Sequence, residues 1–205
     1  MRFHTPVCRT CNNGWMSTLE AEVQSLISPL VSTDFPCVAP MYFEELKRRG
    51  DRLAIWLAKT ALTASLALPQ AADPKSIFVP SEIKAGRISE GVRVDVAKAA
   101  TAGETVALAL SREFIVQSGN LPLSARHSLK TLQFSMQLNH LLLRIAISPD
   151  AIETPFPNSR GTAFRVYPRS SREVPACYEF PDFVAFINGV YLRTYNGVKY
   201  DRFMP

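Results

Sequence analysis

The chain has no apolar run long enough to cross a bilayer. Leu53 to Leu68 comes nearest and is interrupted by Lys59 and small polar residues, whereas a spanning helix needs about 20 predominantly apolar residues. The opening Met1-Arg2-Phe3-His4-Thr5-Pro6 lacks the apolar segment of a secretion signal. Cysteine is scarce: Cys37 and Cys177 stand alone, and only Cys8 and Cys11 fall close together. That spacing excludes the disulfide framework of a small secreted domain. These absences predict a cytoplasmic protein with no membrane partner. Histidine is scarcer still, with three residues. His127 reads as a surface residue and His140 as a structural one, and they are too far apart to form a site. No P-loop, dinucleotide fingerprint, G-x-S-x-G elbow or H-E-x-x-H motif is present, which removes the commonest nucleotide, hydrolase and zinc-protease signatures. There is no internal repeat and no low-complexity segment.

What is present is ordinary for a folded protein. At 205 residues, 47% apolar and 20% charged, the chain can bury one sizeable core or carry a small module on a larger domain. The formal net charge of +5 permits contact with nucleic acid without requiring it. Arginine outnumbers lysine by more than two to one. That bias suits phosphate or carboxylate recognition, and a GC-rich genome gives it equally.

Helical periodicity comes first and strand alternation follows. Trp15, Leu19, Val23, Leu26, Ile27 and Leu30 form an apolar stripe over about 15–28, with Pro29 expected at its end. A second helical region spans about 41–68, broken near Gly50, with Trp56 as a core anchor and Lys59 as a snorkelling surface lysine. Glu44-Glu45 and Lys47-Arg48-Arg49 read as a solvated face of i,i+3 and i,i+4 pairs; the basic cluster at 47–52 is also a candidate for a nucleic-acid backbone. Residues 76–79 suggest a short strand and 81–88 a small helix capped by Ser81. Strand signals then dominate: Val92 to Val96, Glu104 to Leu110, Phe114 to Gln117, Leu129 to Leu138, His140 to Ile147 and Thr162 to Tyr167. Residues 137–140 are the expected hairpin turn, and 180–190 a short helix or strand. The fold class is α+β with a mainly antiparallel sheet, divided into an N-terminal knuckle and helix at 1–30 and an α+β domain at 31–205.

Chemistry concentrates in Cys8-Arg9-Thr10-Cys11-Asn12-Asn13-Gly14-Trp15-Met16. Two thiolates three positions apart hold one tetrahedral zinc from a single tight loop, and they supply half of the four ligands. His4, Cys37, Cys177 or the cysteines of a second chain are the candidates for the other half. A redox dithiol is the other chemistry open to this spacing. For Asn12 the plainer role is a helix cap.

The run Val7-Cys8-x-x-Cys11-Asn12-Asn13-Gly14-Trp15-Met16-Ser17-x-Leu19-Glu20 resembles the second zinc knuckle of HNH-type endonuclease-like proteins, and in particular a bacterial group in which a larger α+β region follows. The resemblance implies a treble-clef-like knuckle and helix remnant at the N-terminus, with Cys8 and Cys11 as ligands of a structural Zn2+. It implies that Asn12 is the residue that helps hold a catalytic Mg2+ or Mn2+, for which an amide oxygen is a suitable hard ligand. DNA is the implied substrate, and a divalent ion would stabilise charge on its phosphate. Two parts of the family pattern are missing: the first C-x-x-C pair, and the histidine base in its Asp/Glu-His-Ile-x-Pro context. The expectation is therefore an HNH-related chain that is truncated or degenerate, and a nuclease only if completed by other sequence. The alternative is a non-catalytic protein- or nucleic-acid-binding module with a structural knuckle.

Overall fold

The computed structural model describes residues 8–31, 40–67, 78–103, 107–116, 127–147, 164–168, 179–180, 182–187, 191–192 and 200–201. His4, Cys37 and Cys177 lie outside this set.

The helices come first in the chain. A three-residue helical turn, α1 (Arg9–Cys11), runs through a π-helical turn at Asn12–Met16 into α2 (Ser17–Val31). Pro29 lies inside the last turn of α2 rather than ending it, and the helix stops two residues later. Next come α3 (Pro40–Arg48) and α4 (Gly50–Ala67), divided at the expected glycine. The break has a steric use. A Cβ on Gly50 would lie 2.2 Å from the Val166 carbonyl oxygen, so only glycine lets the start of α4 meet that backbone. Helix α5 (Pro80–Lys84) follows, with Val79 rather than Ser81 at its N-cap position and Gly86 (φ 74°) closing it. Phe78 and Val79 are not in a strand.

The sheet is built from β1 (Val92–Ala99), β2 (Ala107–Val116), β3 (His127–Leu138), β4 (Leu141–Ile147), β5 (Phe164–Tyr167) and β6 (Glu179–Phe180). Its order is β2-β3-β4-β1-β5, and β6 adds to β1 as the parallel pairing. All other pairings in it are antiparallel. A short helix, α6 (Phe183–Ile187), follows β6. A separate two-stranded pair, β7 (Tyr191–Leu192) with β8 (Tyr200–Asp201), completes the described elements. This is the expected α+β class.

One face of the sheet meets the helices. Val92, Val94 and Val96 of β1, Phe134 and Met136 of β3, and Leu141, Leu143 and Ile145 of β4 point to that side. They share one core with Leu19, Val23, Leu26, Ile27 and Leu30 of α2 and with Leu53, Leu57, Ala58 and Ala61 of α4. The small residues of α4 let the sheet and α2 approach closely. Trp56 packs against this core at its margin. Lys59 departs from expectation: it is buried and ion-paired to Glu20 of α2, so it ties two helices together instead of reaching for solvent. Among the described residues, no helix is long and apolar enough to cross a membrane.

The opposite face is buried as well, although strict alternation such as that of Val92 to Val96 ordinarily marks a strand with one face in solvent. Phe180 and Phe186 meet edge to face at 5.1 Å and cover Ala97, Ala99 and Leu142. Beside them lie charges. The Asp95 carboxylate accepts from Arg93 Nε at 2.8 Å and from Arg144 at 2.9 Å. The Arg144 guanidinium also sits over the Phe186 ring at 5.0 Å. Burial pushes the Asp95 carboxyl up, but Arg144 and Arg93 outweigh it and hold it below its ordinary value. Burial likewise pulls Arg144 down, against the opposing pull of Asp95. The alternating pattern of these strands thus hides a second layer, in which paired charges stand where solvent was expected.

Candidate metal centre

The knuckle is shaped by backbone hydrogen bonds around Cys8. Cys8 is extended (φ −63°, ψ 141°), and its Sγ accepts the Cys11 N–H at 3.1 Å. Its carbonyl accepts the Asn12 N–H at 2.9 Å. Cys8 therefore fills the N-cap position with sulfur in place of the usual oxygen. The capping role expected of Asn12 belongs to Cys8, and Asn12 lies one turn inside the helical path, exposed. Helical geometry is lost at Gly14 (φ −104°, ψ −117°) before α2 restores it.

The two thiols are free and unequal. Cys8 is exposed and Cys11 half-buried. A hydrogen bond with the Cys11 thiol and the Cys11 backbone N–H draw the Cys8 pKa below its ordinary value, with help from the Lys84 ammonium at the end of α5. The same thiol contact, burial and the neighbouring Cys8 charge push Cys11 up. Trp15 and Lys84 oppose that rise. Among the described residues the buried Trp15 indole N–H meets no hydrogen-bond partner, and it favours the thiolate at Cys11.

This arrangement suits two zinc ligands and stops at two. Among the described residues, no group of three or more His, Cys, Asp or Glu side chains gathers to hold a metal ion. Cys8 and Cys11 fit half of a structural zinc site. Asn12, with one amide oxygen and no carboxylate or imidazole cluster beside it, makes no site for Mg2+ or Mn2+ by itself.

The other expected residues fall elsewhere. His140 is structural: its Nδ1 lies 2.8 Å from the Ala99 carbonyl oxygen, and its own carbonyl accepts the Ala99 N–H. His127 lies on β3. The basic cluster is occupied by carboxylates. Lys47 pairs with Glu44 at 3.0 Å, Arg48 with Glu45 at 2.8 Å and Arg52 with Glu22 at 3.4 Å. Arg165 is on β5, in register with Asp95. Two features escape a reading by motif. The Lys84 charge acts on the knuckle from far along the chain, and Arg144, an interruption in an apolar strand, is the partner of Asp95 across two paired strands. The second was detectable as a charge in an otherwise apolar run; the first carries no sequence signal. The chain matches no protein-family model, no curated protein and no solved structure.

Proposed function

We propose that this chain is an HNH-endonuclease-related protein whose Cys8 and Cys11 contribute two of the four ligands of a structural zinc. The observation that carries this reading is the cap: both sulfurs belong to one exposed loop, and one of them accepts the N–H of the other residue. Thiols kept free in this way suit a reducing, cytoplasmic compartment. Bound zinc would fix the loop and favour both thiolates, since coordination requires deprotonated sulfur. This chain's own contribution is to hold the two sulfurs together and to anchor them, through Trp15 and α2, on the shared core. The histidine base and first cysteine pair of the family pattern would come from other sequence or from a second chain. Phosphodiester hydrolysis of DNA is proposed only for that completed assembly, with Asn12 beside the knuckle as its contribution to the divalent-ion site.

The test is zinc per chain, measured by elemental mass spectrometry on protein purified without chelator, with size-exclusion chromatography alongside. Half a zinc per chain in a dimer means that two knuckles share one ion, and one zinc per monomer means that a further residue of this chain completes the site. No zinc, with both thiols open to alkylation, refutes the knuckle.

The ion pairs of the basic cluster favour the second reading, a non-catalytic module whose partner is a protein, over a nucleic-acid-binding one. Lys47, Arg48 and Arg52 are already engaged by carboxylates. A salt-dependent affinity for DNA, falling steeply between 50 and 200 mM salt as phosphate contacts require, would count against it.

A further inference from the structure

We propose that Cys8 and Cys11 form a reversible disulfide with each other, so that the knuckle is a thiol–disulfide switch as well as a half-site for metal. The placement of the two sulfurs carries this, independently of zinc. They belong to residues three apart, Cys8 as the extended N-cap and Cys11 as the last residue of α1, and the Cys8 sulfur already accepts the Cys11 backbone N–H at 3.1 Å. A disulfide needs Cβ atoms about 3.5–4.5 Å apart, the separation that closure must reach. The turn is free to adjust to it. Neither α1 nor the π-helical turn after it contributes a buried residue, and the helical path is already broken at Gly14.

Exposure sets the order of events. Cys8 is open to solvent and Cys11 is half-buried, so Cys8 meets a small disulfide first. With a low-molecular-weight disulfide R–S–S–R as oxidant, the Cys8 thiolate attacks one sulfur, forming Cys8–S–S–R and releasing one R–S⁻. The Cys11 thiolate then attacks the Cys8 sulfur, forming Cys8–S–S–Cys11 and releasing the second R–S⁻. The two protein thiols lose two protons and two electrons in all, and the small disulfide is reduced to two thiols. In the oxidised knuckle neither sulfur is a thiolate, so neither serves as a zinc ligand.

The experiment uses the full chain, reduced and freed of metal by chelator. It is equilibrated at graded ratios of reduced to oxidised glutathione, quenched in acid, alkylated, digested and weighed by mass spectrometry. The expected result is a Cys8–Cys11 peptide protected at both cysteines and lighter by two hydrogens, returning to the dithiol as the ratio rises. In Cys11→Ser, Cys8 should instead retain one glutathione. Two alkylated cysteines at every ratio, a separate glutathione on each, or linkage of either to Cys37 or Cys177 would each overturn the proposal. Zinc content of the reduced chain is read separately, so failure of the metal reading and failure of the switch are distinguishable.

Discussion

At Gly50, two effects of a methyl group oppose each other. In an open helix, alanine is better than glycine by about 1 kcal/mol. Here the new Cβ would sit 2.2 Å from the Val166 carbonyl oxygen, and a sheet backbone does not yield as a flexible side chain does. Overpacking of this kind costs about 1–3 kcal/mol or more, so Gly50→Ala should lower stability, as read by urea denaturation; a rise would show that α4 does not meet β5 so closely. Asp95 presents a different case. It is fully buried between two arginines, and Asp95→Asn leaves the Arg144 charge without its countercharge. Breaking a buried pair from one side costs about 3–5 kcal/mol, and removing both partners costs less, so Asp95→Leu with Arg144→Leu should be the less damaged variant. The pH dependence follows from the lowered carboxyl pKa. Its contribution is full above the unfolded-state value near ~3.9 and is lost as the pH falls through the lower folded value. The stability gap between wild type and Asp95→Asn should therefore hold from neutral pH down to about 4 and close only below it.

Among the elements, the β3–β4 hairpin shows what a sequence tells about its own turns and what it leaves out. Residues 137–140 were readable as a turn, and Asn139 indeed takes the left-handed conformation (φ 53°) that asparagine tolerates. Nothing local announces its second task. Its side-chain Nδ2 donates to the Val31 carbonyl at 2.7 Å, closing the C-terminal end of α2, 108 residues away in the chain. Asn139→Gly keeps the backbone conformation and removes only that bond, at an expected cost of about 0.5–1.5 kcal/mol. Asn139→Ala loses both and should cost more. Equal losses in thermal denaturation would show that the α2 contact is worth nothing. The same division explains the rest. The stripes of α2 and α4, the break at Gly50, the alternation of β1 and β3 and the nearly continuous apolar run of β4 are set by neighbours within one turn or one strand, so they were legible. The burial of Lys59 against Glu20, the second covered face of the sheet and the pull of the Lys84 charge on the knuckle depend on how distant segments come together, so they were not. At the candidate site, the pairing of Cys8 with Cys11 was legible from spacing alone, while the exchange of cap between Asn12 and Cys8 turned on a single backbone N–H.

At the scale of the whole molecule, the question is whether the N-terminal helix is an appendage or part of the body. The sequence suggested a boundary near residue 30, with the knuckle and its helix as a remnant of another module. In the structure, α2 places Leu19, Val23, Leu26, Ile27 and Leu30 in the same core as α4 and the sheet. Full burial of such side chains is worth about 1.5–3 kcal/mol each. Five of them bring roughly 7–15 kcal/mol by that measure, an upper figure because the unfolded chain already hides part of the surface. The whole net stability of a domain is about 5–15 kcal/mol. Deleting residues 1–31 should therefore not release an intact α+β domain. It should give a chain that aggregates or lacks a cooperative thermal transition, even though the entire sheet is retained. Deleting residues 1–16 removes the knuckle and no residue of that buried set, and should leave a cooperative transition within a few degrees of the full chain. If the shorter deletion unfolds the protein, the knuckle itself is structural to the fold. If the longer one folds, α2 rests on the core without supporting it, and the boundary near residue 30 is real.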